Sequence, residues 1–348
     1  MSAFYKVNIQ EIQQETAHAV SVLFNIPENL KSNFKFKSGQ YITLQKEING
    51  SEIRRAYSIC SAPQSGEIKV AIKAVENGKF STYATSHLKA GDEIEITAPE
   101  GRFLLKPETN KNYIGFAAGS GITPILSMVK TVLETESSAT FTLVYGNKTE
   151  ADTMFRSELN MLKASFSSRF NLHYIFSREN VKNELRGRID ENVTNYFVKN
   201  RYKETSFNEA FLCGPEEMIQ EVSRALKNNK ISKENIHFEL FTASIDKEAA
   251  SEVKEGSTEI TVLLDDEETT FTMEQTDNIL AASLRKNIDA PYSCQGGVCS
   301  SCLGKVTEGK AVMVKNSILT DSEIEEGLVL TCQAYPTTPK VTIDFDDV

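Results

Sequence analysis

Pro291-Tyr292-Ser293-Cys294-Gln295-Gly296-Gly297-Val298-Cys299-Ser300-Ser301-Cys302 gathers three cysteines on one short stretch, and Cys332 follows after 29 intervening residues. Three thiolates on a tight loop can hold a metal centre from one side while a distant fourth closes it. The C-x4-C-x2-C…C spacing is that of [2Fe–2S] ligation, and the metal ligands read from it are Cys294, Cys299, Cys302 and Cys332. Gly296 and Gly297 let the loop adopt conformations other residues resist, and leave room for backbone N–H groups to point at sulfur. Zinc is the competing reading, but its ligands usually arrive as two short C-x2–4-C knuckles. The chain opens Met1-Ser2-Ala3-Phe4-Tyr5-Lys6 and continues polar, without an apolar signal core, so the expected compartment is the cytoplasm. There, stable disulfides are disfavoured and clustered cysteines point to metal or redox chemistry. Cys60 and Cys213 stand apart, and Cys60 reads as a small buried strand residue.

Outward from this loop the pattern divides the chain. Immediately upstream, residues 258–264 and 269–273 read as strands joined by an acidic turn, followed by a short helix carrying Ile279, Leu280 and Leu284. Residues 243–257 are polar and without periodicity, which reads as a linker. Between Lys111 and that linker, apolar runs alternate with amphipathic helices: 113–118, 140–145, 171–176, 209–213 and 236–241 read as strands. Ile125, Leu126, Val129, Val132 and Leu133 share one helical face, with Thr123 as N-cap and Pro124 as first helical residue. Alternating β and α elements imply a parallel sheet covered by helices. The N-terminal region is β-rich. Ile68, Val70 and Ile72 alternate with lysines and alanine, and Asn49-Gly50 sits between two strand-like runs as a hairpin turn. Short strands with one short helix after Gly78 point to a small antiparallel barrel.

The chain has 348 residues, enough for two or three cores, with 40% hydrophobic and 25% charged residues. No apolar run approaches the ~20 residues that span a bilayer. The net charge of −10 is uneven: residues 243–348 hold 20 acids against 8 bases, and the rest is nearly balanced. So acidic a C-terminal third excludes a nucleic-acid surface there. It is either a solvated face or a docking surface for a basic partner.

Five further short segments carry chemistry. Arg55-Ala56-Tyr57-Ser58 offers a cation, an aromatic ring and a hydroxyl on one strand, and Gly78-Lys79-Phe80-Ser81 opens a short helix downstream. Gly119-Ser120-Gly121-Ile122-Thr123-Pro124 follows a strand and opens a helix, the context a nucleotide-binding glycine turn requires, although proline replaces the last glycine of G-x-G-x-x-G. Cys213-Gly214-Pro215 lies at another strand end. Ser177-Arg178 ends the third strand of the α/β region, where an arginine can pair with a 2′-phosphate.

Together these motifs resemble the ferredoxin–NADP reductase superfamily, and residues 291–302 with Leu328-Val329-Leu330-Thr331-Cys332-Gln333 resemble the cluster segments of plant-type ferredoxins. The resemblance covers essentially the whole chain. Its domain order is that of a subgroup of oxygenase reductases which includes the reductase subunits of phenylacetyl-CoA epoxidases. It implies a multidomain chain: an FAD-binding antiparallel β-barrel over residues 1–108, an NAD(P)H-binding α/β parallel-sheet domain over 109–242, a linker over 243–257, and an α+β, β-grasp [2Fe–2S] ferredoxin domain over 258–348. The flavin would contact Arg55, Tyr57, Ser58, Gly78, Phe80 and Ser81. The nucleotide, NADPH in preference to NADH, would contact Gly119, Gly121, Thr123, Ser177, Arg178 and Gly214. Ser58, Cys213 and Glu239 would stand at the reaction centre, with Phe241 the alternative to Glu239 and a plain core strand the competing reading. The implied activity is an oxidoreductase carrying electrons from NADPH through FAD and the cluster to an oxygenase. A stand-alone reductase of a ferredoxin, flavodoxin or other small carrier is the alternative, and a non-redox zinc-binding module a third reading. No strong acid or base is needed, because cofactors carry the hard chemistry.

Overall fold

The computed structural model describes residues 3–348. Its chain divides into two compact units, Phe4–Phe241 and a second made largely of Thr242–Val348.

The first unit opens with six strands, β1 (Phe4–Thr16), β2 (Ala19–Asn25), β3 (Tyr41–Ile48), β4 (Ser51–Ser58), β5 (Ile68–Lys73) and β6 (Glu93–Thr97), with α1 (Lys79–His87) between the last two. They pair antiparallel in the order β4-β3-β6-β1-β2-β5. The two outer strands meet: Ile59 bridges to Val70, and the Cys60 N–H donates to the Lys69 carbonyl at 2.8 Å. The barrel thereby shields both edges. Asn49 and Gly50 turn β3 into β4 with φ of 53° and 73°, as a two-residue hairpin demands. Ile68, Val70 and Ile72 all point inward, as their alternation requires.

The α/β part of this unit runs β7 (Asn112–Ala118), α2 (Ile122–Thr135), β8 (Thr140–Asn147), α3 (Arg156–Ser165), β9 (Phe170–Phe176), β10 (Leu185–Arg186), α4 (Glu191–Asn195), β11 (Glu209–Cys213), α5 (Glu216–Asn228) and β12 (Ile236–Glu239). The sheet is parallel with order β10-β9-β8-β7-β11-β12. Chain direction across the sheet reverses at β7, so a crevice opens at its C-terminal end, the usual ligand position in such sheets. Two expectations change here. The last strand stops at Glu239, leaving Leu240 and Phe241 outside it. Gly121, not Thr123, is the N-cap of α2, because a 3-10 turn over Gly119–Gly121 runs straight into the helix. Thr123 is the second helical residue, and its hydroxyl donates to the Ser120 carbonyl at 3.1 Å. Pro124 lies in the first turn, where its missing N–H leaves no bond unmade.

One hydrophobic cluster runs from Ile125, Leu126, Val129 and Val132 on α2 through Phe141, Leu143 and Tyr145 on β8 to Ala19, Cys60 and Ala71 of the barrel. Buried polar contacts reinforce that junction. The Ser127 hydroxyl donates to the Ser61 carbonyl at 2.6 Å, and the Lys130 ammonium to the Cys60 carbonyl at 3.1 Å.

The second unit contains α6 (Lys247–Glu252), β13 (Ser257–Leu264), β14 (Glu267–Glu274), α7 (Ile279–Arg285), β15 (Leu303–Glu308), β16 (Ala311–Met313), α8 (Asp321–Glu325), β17 (Leu328–Leu330), β18 (Ala334–Pro336) and β19 (Lys340–Asp344). Its mixed sheet has the order β14-β13-β19-β15-β17, with β13 and β19 parallel, and a ribbon of β16 and β18 beside it. Ile279, Leu280 and Ala282 of α7 pack against Ile260, Val262, Val341 and Ile343. The stretch expected as a plain linker holds α6, whose N-cap carboxylate, Asp246, accepts from the N–H groups of Glu248 and Ala249. Six residues are too few to show a helical period. The Asp246 N–H also donates to the Val314 carbonyl at 2.8 Å, anchoring the segment. No helix among the described residues is long and apolar enough to cross a membrane.

Candidate redox centres

Strand β4 delivers Arg55, Tyr57 and Ser58 to the end of the barrel, and α1 brings Phe80 to meet them: the Tyr57 and Phe80 ring centroids lie 5.7 Å apart. Helix α1 starts at Gly78 with no side chain capping it. Ser81 is already engaged, its hydroxyl accepting the Val75 N–H at 3.2 Å. The first N–H groups of α1 therefore remain available to an anion, and Arg55 supplies a cation from the neighbouring strand. An uncapped N-terminus, a guanidinium and an aromatic pair fit a flavin dinucleotide.

Ser58 reaches further. Its hydroxyl donates to Oε2 of Glu239 at 3.1 Å, across 181 residues of sequence. Both side chains are buried, and burial pushes the Glu239 carboxyl up to about 8, with the Ser58 hydrogen bond pulling weakly the other way. Glu239 therefore holds its proton at neutral pH. Cys213 sits beside Glu239 in the β11–β12 register, and burial, followed by the Glu239 charge, pushes its thiol well above the usual range. All three residues expected at the reaction centre come together, as a neutral hydroxyl, carboxylic acid and thiol. Phe241 stays largely exposed.

The glycine turn after β7 packs directly on the end of β11. A Cβ on Gly121 would lie 2.1 Å from the Cys213 carbonyl oxygen, and one on Gly214 2.6 Å from the Met218 methyl and 3.1 Å from the Ala118 Cβ. No larger residue fits between the two turns. Helix α2, like α1, begins without a side-chain cap. At the other side of the crevice the Ser177 and Arg178 N–H groups donate to the Asn147 and Lys148 carbonyls, each at 2.9 Å, which fixes them beside the end of β8. Glycine turn, uncapped helix and basic strand end together fit a nicotinamide dinucleotide.

Two residues of this crevice escaped the sequence reading. Lys73 looked like an outward-facing strand lysine. A side chain at Gly119 would begin 3.9 Å from its ammonium, and partial burial lowers its pKa, with Asp152 opposing. Asn147 belongs to no motif, and its buried amide came to light only in three dimensions.

In the second unit the four thiols fall into two pairs. Cys299 donates to Cys294 across 3.1 Å, and Cys302 and Cys332 hydrogen-bond to each other. Among the described residues, no three His, Cys, Asp or Glu side chains converge so as to hold a single ion. Two thiol pairs suit two irons better than one zinc. The Cys299 hydrogen bond pulls the Cys294 thiol down to about 6, against burial and with help from the N–H groups of Gly296, Val298 and Cys299. Gly297 has φ of +72°, and a Cβ there would lie 2.7 Å from the Lys315 carbonyl oxygen. The Gly297 carbonyl in turn accepts from the Ser317 N–H and hydroxyl, each at 3.1 Å. The loop is thus shaped by backbone contacts, with N–H groups turned toward sulfur.

A flavin-type barrel sharing its core with a nucleotide-type parallel sheet, together with a four-cysteine β-grasp unit, defines a class: nicotinamide-dependent flavin oxidoreductases with an iron–sulfur electron carrier. The comparisons agree. Residues 6–104 match the oxidoreductase FAD-binding domain family, 116–224 the oxidoreductase NAD-binding domain family and 262–337 the 2Fe-2S iron-sulfur cluster binding domain family. The chain is 38% identical over 351 residues to one of the subunits of the 1,2-phenylacetyl-CoA epoxidase of Escherichia coli K12, covering 99% of both chains. It is 30% identical over 351 residues to the ferredoxin reductase component of 3-ketosteroid-9-alpha-monooxygenase from Rhodococcus rhodochrous, covering 97% of this chain and 96% of that one. The solved structure of phthalate dioxygenase reductase superimposes with a TM-score of 0.65 at 22% identity, over 99% of this chain and 98% of that one. The chain belongs to the family of FAD- and NAD-binding reductases with a C-terminal 2Fe-2S domain, and it is an electron-transfer oxidoreductase using NAD(P)H, FAD and a [2Fe–2S] cluster.

Proposed function

We propose that the chain is the reductase subunit of an oxygenase of the phenylacetyl-CoA epoxidase type, supplying it with electrons from NADPH. The flavin–nucleotide part of this reading rests on the buried Ser58–Glu239 hydrogen bond, which ties the end of the flavin-type barrel to the end of the nucleotide-type sheet. Whole-length similarity to the Escherichia coli protein supports the choice of oxygenase. Arg55 and the N–H groups after Gly78 would hold the FAD diphosphate, with Tyr57, Phe80 and Ser81 shaping its surroundings. Gly119, Gly121 and Thr123 would receive the nucleotide, and Ser177 and Arg178 would read a 2′-phosphate. Gly214 leaves space for the nicotinamide, while Ser58, protonated Glu239 and the neutral Cys213 thiol line the reacting region without placing a charge there. Cys294, Cys299, Cys302 and Cys332 would ligate the cluster. FAD held there would supply the exchange between two-electron and one-electron chemistry, and a cluster held by the four cysteines would supply a one-electron carrier.

The acceptor would approach the cysteine loop. The segments around the sulfurs, residues 290–302, 311–319 and 328–337, carry a single charged residue, Lys315, whereas the acids lie elsewhere in the unit. Acidic residues would then steer a basic partner at long range, with a nearly uncharged contact at the loop. Adding the purified holoprotein to the remaining components of the Escherichia coli epoxidase tests the assignment. Phenylacetyl-CoA-dependent NADPH oxidation should appear. Failure of that mixture to consume NADPH, while the holoprotein still reduces an artificial acceptor, would refute the oxygenase assignment and favour a carrier reductase.

A further inference from the structure

Asn147, the last residue of β8, is 8% exposed, and neither Nδ2 nor Oδ1 has a hydrogen-bond partner among the protein atoms. A buried amide left unpaired is costly, so such groups are rare in folded proteins. The Tyr145 hydroxyl lies close enough to the Asn147 amide to interact with it and could still accept from it, but no hydrogen bond of ordinary length and angle joins them. The hydroxyl itself donates to the Gly119 carbonyl at 3.0 Å. Tyr145 and Asn147 share one face of β8, so that bond sets their face against the glycine turn. On the other flank, the Asn147 carbonyl accepts from the Ser177 N–H at 2.9 Å. The side chain therefore stands at the C-terminal edge of the sheet between the glycine turn and Ser177-Arg178, where the middle of a dinucleotide would cross.

The geometry points to Asn147 as a nucleotide-positioning residue whose amide binds a ribose hydroxyl of NAD(P)H. An amide offers a donor and an acceptor side by side; the adenine edge and the carboxamide answer both but lie at the two ends of a dinucleotide, whereas the ribose hydroxyls flank its middle. A phosphate could use only the donor. The inference rests on the assignment of this crevice to the nicotinamide nucleotide and adds a residue to it.

The test measures NADP+ and NAD+ dissociation constants by titration calorimetry on the full-length holoprotein, together with its melting temperature without nucleotide. Asn147→Ala and Asn147→Leu are compared with the parent. Losing two neutral hydrogen bonds should weaken both nucleotides by roughly tenfold. The melting temperature without nucleotide should hold or rise, because an unpaired buried amide has been removed. A purely structural amide would behave in the opposite way: both variants would melt lower and bind as the parent does, overturning the inference. A loss confined to NADP+ would also overturn it, by making Asn147 a 2′-phosphate reader. If the parent itself bound neither nucleotide, the crevice assignment would be the part that failed.

Discussion

Replacing Glu239 by glutamine separates the proton held at this site from its shape. Glu239 is 9% exposed, and its carboxyl is pushed from 4.5 up to about 8 chiefly by burial. Between those values the folded chain keeps a proton that the unfolded chain has released. The contribution of a group with a raised pKa is complete below the unfolded value and is lost as pH rises through the folded one. Each unit of displacement is worth about 1.4 kcal/mol, so wild type should be less stable than Glu239→Gln by about 2 kcal/mol at pH 6 and about 5 kcal/mol at pH 8.5. Near pH 4.5 the two should converge. Glutamine keeps the oxygen that accepts from Ser58, so little else changes. Urea denaturation of both holoproteins from pH 5 to 9 measures the difference. Far-ultraviolet circular dichroism is the suitable probe, since the chain lacks tryptophan. Parallel pH profiles would mean that Glu239 ionises normally and that water reaches it, refuting the buried-acid description.

Gly121→Ala should cost about 1–3 kcal/mol or more, because its Cβ would sit 2.1 Å from the Cys213 carbonyl oxygen. A lower melting temperature together with weaker NADP+ binding checks this. Arg178→Ala should reduce the preference for NADPH over NADH roughly tenfold, read as the ratio of kcat/KM values, if the arginine pairs with a 2′-phosphate. An unchanged ratio would remove it from that role. Ser127→Ala leaves the buried Ser61 carbonyl without its hydroxyl donor and should cost about 1–3 kcal/mol, measured by urea denaturation. Cys332→Ser should lower bound iron and abolish the cluster absorbance while leaving flavin content intact; retained iron at parental levels would exclude Cys332 as a ligand.

Much of this architecture is written locally. The alternation in β5, the Asn49-Gly50 turn and the apolar face of α2 each depend on residues within a few positions of one another, and the structure has them as read; Cys332, by contrast, reaches Cys302 only through the fold. Errors fell where neighbouring segments compete. Thr123 lost the cap of α2 to Gly121 because the preceding turn was already helical in direction. Helix α6 is one and a half turns long, held by the Asp246 cap and a contact to Val314, and neither leaves a periodic trace. What the sequence could not disclose is long-range. Ser58 finds Glu239 181 residues away, and burial, against the pull of that hydrogen bond, keeps the carboxyl protonated at neutral pH. Lys73 appeared solvent-facing because strand alternation registers only two faces, not the second layer that covers one of them. Asn147 stood out solely through what its amide lacks.

The central claim is a continuous electron path from NAD(P)H through FAD to the cysteine-bound cluster. An anaerobic visible spectrum of the holoprotein, recorded before and after addition of NADPH, tests it most directly. Flavin bands and the broad cluster absorbance should both bleach, with iron and flavin present in about a two-to-one ratio. Flavin bleaching with an unchanged cluster spectrum, or with no cluster at all, would contradict the account and leave a flavin reductase with a metal-binding appendage.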